Sequence, residues 1–232
     1  MLLIILKKPL TGLLKDRMLL IKEREDLYSY YQKILNTGLT NGTSGNISII
    51  NKIEKLIAIS PSGVRFDELR LDDISIVDLN GQLIEGLKPS SELQMHLMVY
   101  NNRSDIEAII HAHTIYATTV ACLGEDLPAI NYMIAVAGGK NVRCANYATF
   151  GTMDLAKNVL KALKGRKAAL LANHGLIAGA ENIQNAVYIA EQIEYISELY
   201  VKAKSIGDPI ILSDEEMEKM VELFKNYGQV YK

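Results

Sequence analysis

The sequence predicts an α/β layered domain, and three observations predict it. Short apolar runs alternate with longer amphipathic stretches from about residue 21 onward, the pattern of strands packed against helices. The 232 residues suit one large domain better than two small ones and can bury a sizeable core. Asn80-Gly81 separates two strand-like runs. That hairpin-turn dipeptide rules out a purely parallel sheet.

In chain order, Ile21–Thr37 reads as a helix with Gly38 as its stop. Strand-like runs follow at Asn46–Ile50, Lys55–Ser60, Ile74–Leu79 and Gln82–Ile84, the last two joined by Asn80-Gly81. A helix opens at Ser90-Ser91-Glu92 just after Pro89. Ile106–His113 reads as a strand, with a helix taking over near Thr114. Asp154–Leu163 is a helix that stops near Gly165, and Ala168–Ala172 is a buried strand. A long helix runs from Ile183 to about Lys204. The last begins at Ser213 with Glu216 three residues on, a capping-box signature. Residues 1–17 read as an N-terminal extension, with Met18 as an alternative start. Residues 18–232 read as one domain.

Composition narrows the function. Hydrophobic residues make up 49% and charged residues 22%, as in ordinary globular proteins. A net charge of −2 provides no general field for nucleic acid or an acidic membrane, which favours small-molecule chemistry. Met1–Leu6 is apolar but precedes its charges, the reverse of a secretory signal. No apolar run approaches the ~20 residues of a membrane span. Cys122 and Cys144 form neither a zinc ribbon nor a CxxC pair, and read as small buried hydrophobes in a reducing, cytoplasmic setting.

Of the four histidines, His111 and His113 end the apolar strand Ile106–Ile110. Side chains at i and i+2 of a strand share a face, about 6.6 Å apart along the backbone, so both imidazoles can reach one ion. His174 lies between Asn173 and Gly175 at the end of Ala168–Ala172. An isolated HxH is more often a pair of core or surface histidines. A third histidine at a strand end makes the layout of a catalytic zinc site with an open position, though manganese or cobalt also suits imidazole. His96, one helical turn after Glu92, reads as a structural or surface histidine. Glu92 on its own would be dipole compensation in a first helical turn, whereas beside a metal it can act as ligand or general base. No P-loop or dinucleotide fingerprint is present. Gly42-Thr43-Ser44-Gly45-Asn46, Ser60-Pro61-Ser62-Gly63 and Ser90-Ser91 are instead three turns rich in hydroxyls and free N–H groups. Such turns can nest an anion, and the third adds a helix N-terminus. The sum is a metal, a carboxylate base and a phosphate pocket, suited to carbanion or enediolate chemistry on a small sugar phosphate.

The ordered set TSGNIS, SPSG, KPSSE, HAH and NHG resembles the class II aldolase/adducin family. So do the stretches from Asn131-Tyr132-Met133 to Gly151-Thr152 and from Leu212-Ser213 to Asn226-Tyr227-Gly228. The resemblance covers about residues 18–228. It implies a three-layer α/β/α fold around a mixed, largely antiparallel sheet, and a C4 homotetramer with interfacial active sites. It implies one Zn2+ per subunit on His111, His113 and His174, with Glu92 as the catalytic carboxylate and a resting-state ligand. Gly45, Asn46, Ser62, Gly63, Ser90 and Ser91 match the phosphate loops. Thr43 and Phe150 match residues beside the aldehyde part. Tyr132 matches a proton-handling tyrosine supplied by the neighbouring subunit, and Tyr227 a second, C-terminal tyrosine. The tail Gln229–Lys232 departs from the family's basic and acidic ending.

The implied reaction is cleavage of L-fuculose 1-phosphate, or a related ketose 1-phosphate, to dihydroxyacetone phosphate and an aldehyde such as L-lactaldehyde. Three alternatives share the fold: a ribulose-phosphate 4-epimerase, a methylthioribulose-phosphate dehydratase and a non-catalytic adducin-like scaffold. The epimerase pattern has aspartate in place of Glu92 and a further histidine after His174, and this chain has neither. A scaffold has no use for the three histidines. A generic three-histidine hydrolase would need no phosphate turns.

Overall fold

The computed structural model describes residues 18–40, 42–65 and 67–224. The elements run α1 (Ile21–Asn36), β1 (Asn46–Asn51), β2 (Leu56–Ile59), β3 (Ser75–Asp78), β4 (Leu83–Glu85), α2 (Leu93–Asn102), β5 (Ala108–Ala112) and α3 (Ile115–Ala121). They continue through β6 (Arg143–Ala145), α4 (Met153–Ala162), β7 (Ala168–Leu171), β8 (Gly175–Ala180), α5 (Ile183–Ile206) and α6 (Asp214–Phe224). A one-turn 3-10 segment occupies Leu71–Asp73 and a two-turn one Tyr132–Ala137. The eight strands form one sheet in the order β4-β3-β2-β1-β5-β8-β7-β6. Every pairing is antiparallel except β6 with β7. The sheet is therefore mixed and largely antiparallel.

Strand parity decides what each face buries. Ala108, Ile110 and Ala112 of β5 join a core with α1, α3 and α5, through residues such as Leu27, Val120 and Ile193. Ile109 of the same strand joins the opposite core with α2 and α4, through Val99, Leu155 and Val159. Helices thus cover both faces, and the layering is α/β/α. His111 shares the parity of Ile109, so it points to the α2 side.

Two strands escaped the sequence reading, β6 and β8. Gly175–Ala180 carries two glycines and two alanines and a single β-branched residue, Ile177, a weak strand signature. All six of its residues are buried. Gly179 shows why: a Cβ there would lie 2.9 Å from Ile106 Cγ2. The helix expected at Ser90 begins at Leu93, with Glu92 as the N-cap residue.

Candidate metal centre

Backbone geometry assembles the site. Asn46 and His111 are register partners on β1 and β5, so their side chains share a face of the sheet. The close approach of the two strands depends on Gly45. Its φ is +79°, and a Cβ would stand 2.5 Å from the His111 carbonyl oxygen. His174 sits in the tight turn that joins β7 to β8, where Leu171 pairs with Gly175. Asn173 just before it has φ 54°, a left-handed conformation that asparagine tolerates better than most residues. The Asn173 N–H donates to the Ala121 carbonyl (3.2 Å) and the His174 N–H to Leu171 (3.0 Å).

Glu92 is placed by a stitched pair of loops. The Ser62 N–H donates to the Lys88 carbonyl (2.9 Å), and the Ser90 N–H to that of Ser60 (3.0 Å). Pro61 and Pro89 form an antiparallel bridge between these bonds. The Glu92 N–H donates to Ser90 Oγ (3.2 Å). Two turns far apart in sequence thus become one wall. The Thr40 hydroxyl, bonded to the Ser44 carbonyl, closes the neighbouring turn.

Glu92, His111, His113 and His174 converge, each offering one ligand atom, all within 4.8 Å of one another. His111 Nε2 lies 2.9 Å from His113 Nε2 and 3.1 Å from Glu92 Oε2. His174 Nε2 lies 3.3 Å from Glu92 Oε1. The three ring centroids are 4.8 Å apart pairwise. His111 and Glu92 are buried, whereas His113 keeps part of its surface open to solvent while its ring packs into the cluster.

This donor set fits a divalent cation. His111 Nδ1 lies 2.8 Å from the Leu176 carbonyl, which can only accept. Nδ1 therefore carries the proton, and Nε2 presents its lone pair. That lone pair faces one imidazole nitrogen and one carboxylate oxygen. Glu92 Oε1 is buried and accepts no hydrogen bond among the described residues, an arrangement that calls for explanation. A single proton could serve one of these pairs but not all three contacts, and one metal ion serves them all.

The electrostatics agree. Burial, followed by the charges of His111 and His174, pushes His113 down to about 4 against the opposing pull of Glu92. Burial and His111 lower His174 in the same way. Both imidazoles are thus neutral donors near pH 7. Burial would raise the Glu92 carboxyl, but positive charge on protonated His111 and His174, with the His111 and Asn46 hydrogen bonds, outweighs it and holds the group well below the usual carboxylate range. A cation bound among neutral imidazoles would supply charge of the same sign at the same place.

A cavity of about 330 Å³ opens beside the cluster. Its lining includes Thr43, Gly45, Asn46, Ser62, Gly63, Ser90, Ser91 and Phe150, together with Glu92, His113 and His174. The structure thus gathers all three small-residue turns around the cluster. Tyr147, Ala148 and Asn173 also line it, and the sequence reading gave them no role. Gly151 lets the segment carrying Tyr147 and Phe150 approach. Its φ is +74°, and a Cβ would stand 2.7 Å from the Ser91 carbonyl.

Tyr132 is not among the lining residues. It lies in the second 3-10 segment, is 52% exposed, and its ring centroid is 6.3 Å from that of Phe224. Tyr227 lies outside the described residues, as does the extension 1–17. His96 is fully buried and sits behind Glu92, bonded to Asn46. Asn46, grouped in the sequence with an anion-binding turn, also points inward. Its Nδ2 donates to Glu92 Oε2 at 2.9 Å.

A helix-covered, largely antiparallel sheet with a carboxylate and three imidazoles at one edge of a polar cavity defines a metal-site α/β protein. The family is specific: the model of the Class II Aldolase and Adducin N-terminal domain matches residues 25–201, and the chain belongs to this family. It is 52% identical to a 5-deoxy-D-ribulose 1-phosphate aldolase of Bacillus thuringiensis serovar kurstaki, over 91% of this chain and 100% of the relative. It is 43% identical to the L-fuculose phosphate aldolase of Escherichia coli K12, over 82% of this chain and 88% of the relative. A solved L-fuculose 1-phosphate aldolase superposes with a TM-score of 0.86 at 53% identity, covering 88% of this chain and 96% of that one. The protein is an aldolase, hence a lyase, of a metal-dependent class. No helix among the described residues is long and apolar enough to cross a membrane.

Proposed function

We propose that this chain is a cytoplasmic, zinc-dependent aldolase that splits a short ketose 1-phosphate between C3 and C4. The products are dihydroxyacetone phosphate and a small aldehyde. The observation that carries the reading is the convergence of Glu92, His111, His113 and His174 on the edge of a cavity lined by three hydroxyl-rich turns. Zinc, held by the three imidazoles, would supply a Lewis acid for negative charge developing on the substrate oxygens.

The chain's own residues do the rest. Ser62, Gly63, Ser90, Ser91 and Gly45 hold the phosphate through hydroxyls and backbone N–H groups, with the remaining Nδ2 hydrogen of Asn46. Fixing the charged end places C3 beside Glu92, which is catalysis by position. In cleavage, Tyr132 of a neighbouring copy in a homotetramer takes the C4 hydroxyl proton. C4 becomes the aldehyde carbon, and the C3–C4 electron pair stays with the C3 fragment. Glu92, protonated from solvent once the substrate is bound, then delivers that proton to C3, and Tyr132, which enters the step as the phenolate, gives the proton it took back to solvent. The net result removes the hydroxyl proton of C4 and adds a proton to C3, and addition reverses each step. The half-exposed Tyr132 ring, absent from its own cavity lining, supports its presentation to a neighbour. Tyr227 is assigned to the same aldehyde end, and Thr43 and Phe150 flank the aldehyde fragment.

The relatives' names point to two substrates that share the phosphate and ketone half, 5-deoxy-D-ribulose 1-phosphate and L-fuculose 1-phosphate. They differ in the aldehyde released, acetaldehyde against L-lactaldehyde. Such a difference at an apolar pocket is worth only ~1–3 kcal/mol, so activity on both is expected, with the 5-deoxy substrate first. The test is release of dihydroxyacetone phosphate from each, with and without a chelator. Chelator-sensitive release supports the reading, and no release from zinc-loaded protein on either substrate rejects it. Glu92→Gln should lower turnover by about 10²–10⁴-fold with metal content nearly intact.

A further inference from the structure

Behind Glu92 a single file of buried polar groups runs through Asn46 to His96, Ser48 and Tyr100, and the last three have no part in the proposed chemistry. Asn46 Nδ2 is 2.9 Å from Glu92 Oε2. Asn46 Oδ1 is 2.5 Å from His96 Nε2. His96 Nδ1 is 2.7 Å from Ser48 Oγ, and Ser48 Oγ is 2.7 Å from the Tyr100 hydroxyl. The file follows from secondary-structure periods. Asn46 and Ser48 are i and i+2 on β1, so both face α2. Glu92, His96 and Tyr100 are i, i+4 and i+8 along α2, so all three face β1. All five are buried, His96 and Ser48 completely.

The direction of every hydrogen bond is determined from one end. An ionised carboxylate only accepts, so the Asn46 amide must present Nδ2 to Glu92 and Oδ1 to His96. His96 must then donate from Nε2, which leaves Nδ1 as an acceptor. Ser48 must donate to Nδ1, and Tyr100 must donate to Ser48. No other arrangement satisfies the whole file. Reversing the amide turns Nδ2 to His96, which would then need the other tautomer and two reversed hydroxyls, and it still leaves Oδ1 and the carboxylate as two acceptors facing each other. Burial keeps His96 neutral, with its pKa pushed down to about 3 by desolvation and then by His111, against Glu92. The file therefore stays in one tautomer near neutral pH.

We infer that His96, with Ser48 and Tyr100 behind it, is a positioning residue: it locks the Asn46 amide so that Nδ2 pins Glu92 Oε2 and leaves Oε1 aimed into the cluster. This inference rests on the assignment of Glu92 as the proton carrier. Oε1 has no hydrogen-bond partner of its own among the described residues, so the carboxylate's aim depends on what holds Oε2. Without His96, the Asn46 amide can rotate and the carboxylate can swing.

The test uses the zinc-loaded full chain and its cobalt-substituted form. His96→Leu is expected to lower kcat by about 10–100-fold while KM for the ketose phosphate stays within about twofold. It should also shift the visible absorption of the cobalt form. In His96→Gln the amide nitrogen replaces Nε2–H, and both readouts should return towards wild type. In a Glu92→Gln background, His96→Leu should change the residual kcat by less than about twofold, the mark of two residues acting as one unit. Ser48→Ala and Tyr100→Phe should give smaller losses in the same direction, and they carry the test if His96→Leu does not fold. The inference is overturned by an equal loss from His96→Leu in both backgrounds, by an unchanged cobalt spectrum, or by failure of glutamine to rescue. Wild-type turnover in Glu92→Gln would overturn the role of Glu92 and this inference together. A disabled Glu92→Gln beside a fully active His96→Leu would overturn this inference alone.

Discussion

Gly45→Ala isolates the contact on which the metal centre is hung. The new methyl would stand 2.5 Å from the His111 carbonyl oxygen and 3.3 Å from Ala112 Cα, both rigid backbone atoms. Gly124→Ala is the control, with a similar φ of +68° and nothing within 4 Å of the added carbon. Each substitution places alanine in the left-handed region at a cost of roughly 1–2 kcal/mol. Each also regains about 0.4–1 kcal/mol by restricting the unfolded chain. Gly124→Ala should therefore cost about 1 kcal/mol. Gly45→Ala adds an overpacking cost of about 1–3 kcal/mol, for roughly 3 kcal/mol in all. At about 2–4 °C per kcal/mol for a chain of this size, the metal-free protein should melt roughly 6–12 °C lower, against roughly 2–4 °C for the control. β1 must also draw back from β5, moving Asn46 and His111 relative to Glu92, so zinc affinity should fall by about 10-fold or more in Gly45→Ala alone. Thermal unfolding by circular dichroism and zinc competition with a chromogenic chelator measure the two effects. Equal melting shifts and equal zinc affinities in the two variants would refute the close-approach argument.

Two further predictions concern stability away from the cavity and its dependence on pH. Arg24 is fully buried and donates to the carbonyls of Leu71 (2.7 Å) and Ile74 (2.8 Å) and to Glu85 (2.8 Å). Arg24→Leu should therefore cost about 2–4 kcal/mol with kcat at 25 °C unchanged; a melting temperature equal to wild type would contradict this. His96 has a folded pKa of about 3, below the ~6.5 of an unfolded histidine. The unfolded chain therefore binds the extra proton between those values. Stability from this group is complete above about pH 6.5 and falls as pH drops towards 3, by about 2 kcal/mol at pH 5. Melting curves at pH 7 and 5 should lie closer together in His96→Gln than in wild type, and an equal separation would count against a neutral buried imidazole.

Much of the architecture was legible because it rests on short-range rules. The hairpin at Asn80-Gly81 appears as written: the Asp78 N–H donates to Gln82 and the Gly81 N–H to Asp78. The capping serine at 213 accepts from the Glu216 N–H, and the long helix runs Ile183–Ile206. Two-residue periodicity alone put His111 and His113 on one side of a strand, and the hydroxyl-rich turns stood out by composition. Family resemblance, rather than periodicity, pointed to Tyr132 and Tyr227.

The sequence by itself determined the α-helices and all the strands but β6 and β8, the chemistry-bearing residue types and the class of reaction they suit. Tertiary structure alone decided how they meet. The β1–β5 register sets Asn46 opposite His111, and the Pro61–Pro89 bridge turns two separate loops into one wall. His96 read as a bystander because its partners lie about fifty positions away at Asn46 and Ser48. Local propensity extends over a helical turn or a strand pair. The direction of a buried hydrogen bond depends on which distant donor or acceptor packing has set against it, and that exists only once the sheet has closed against the helix.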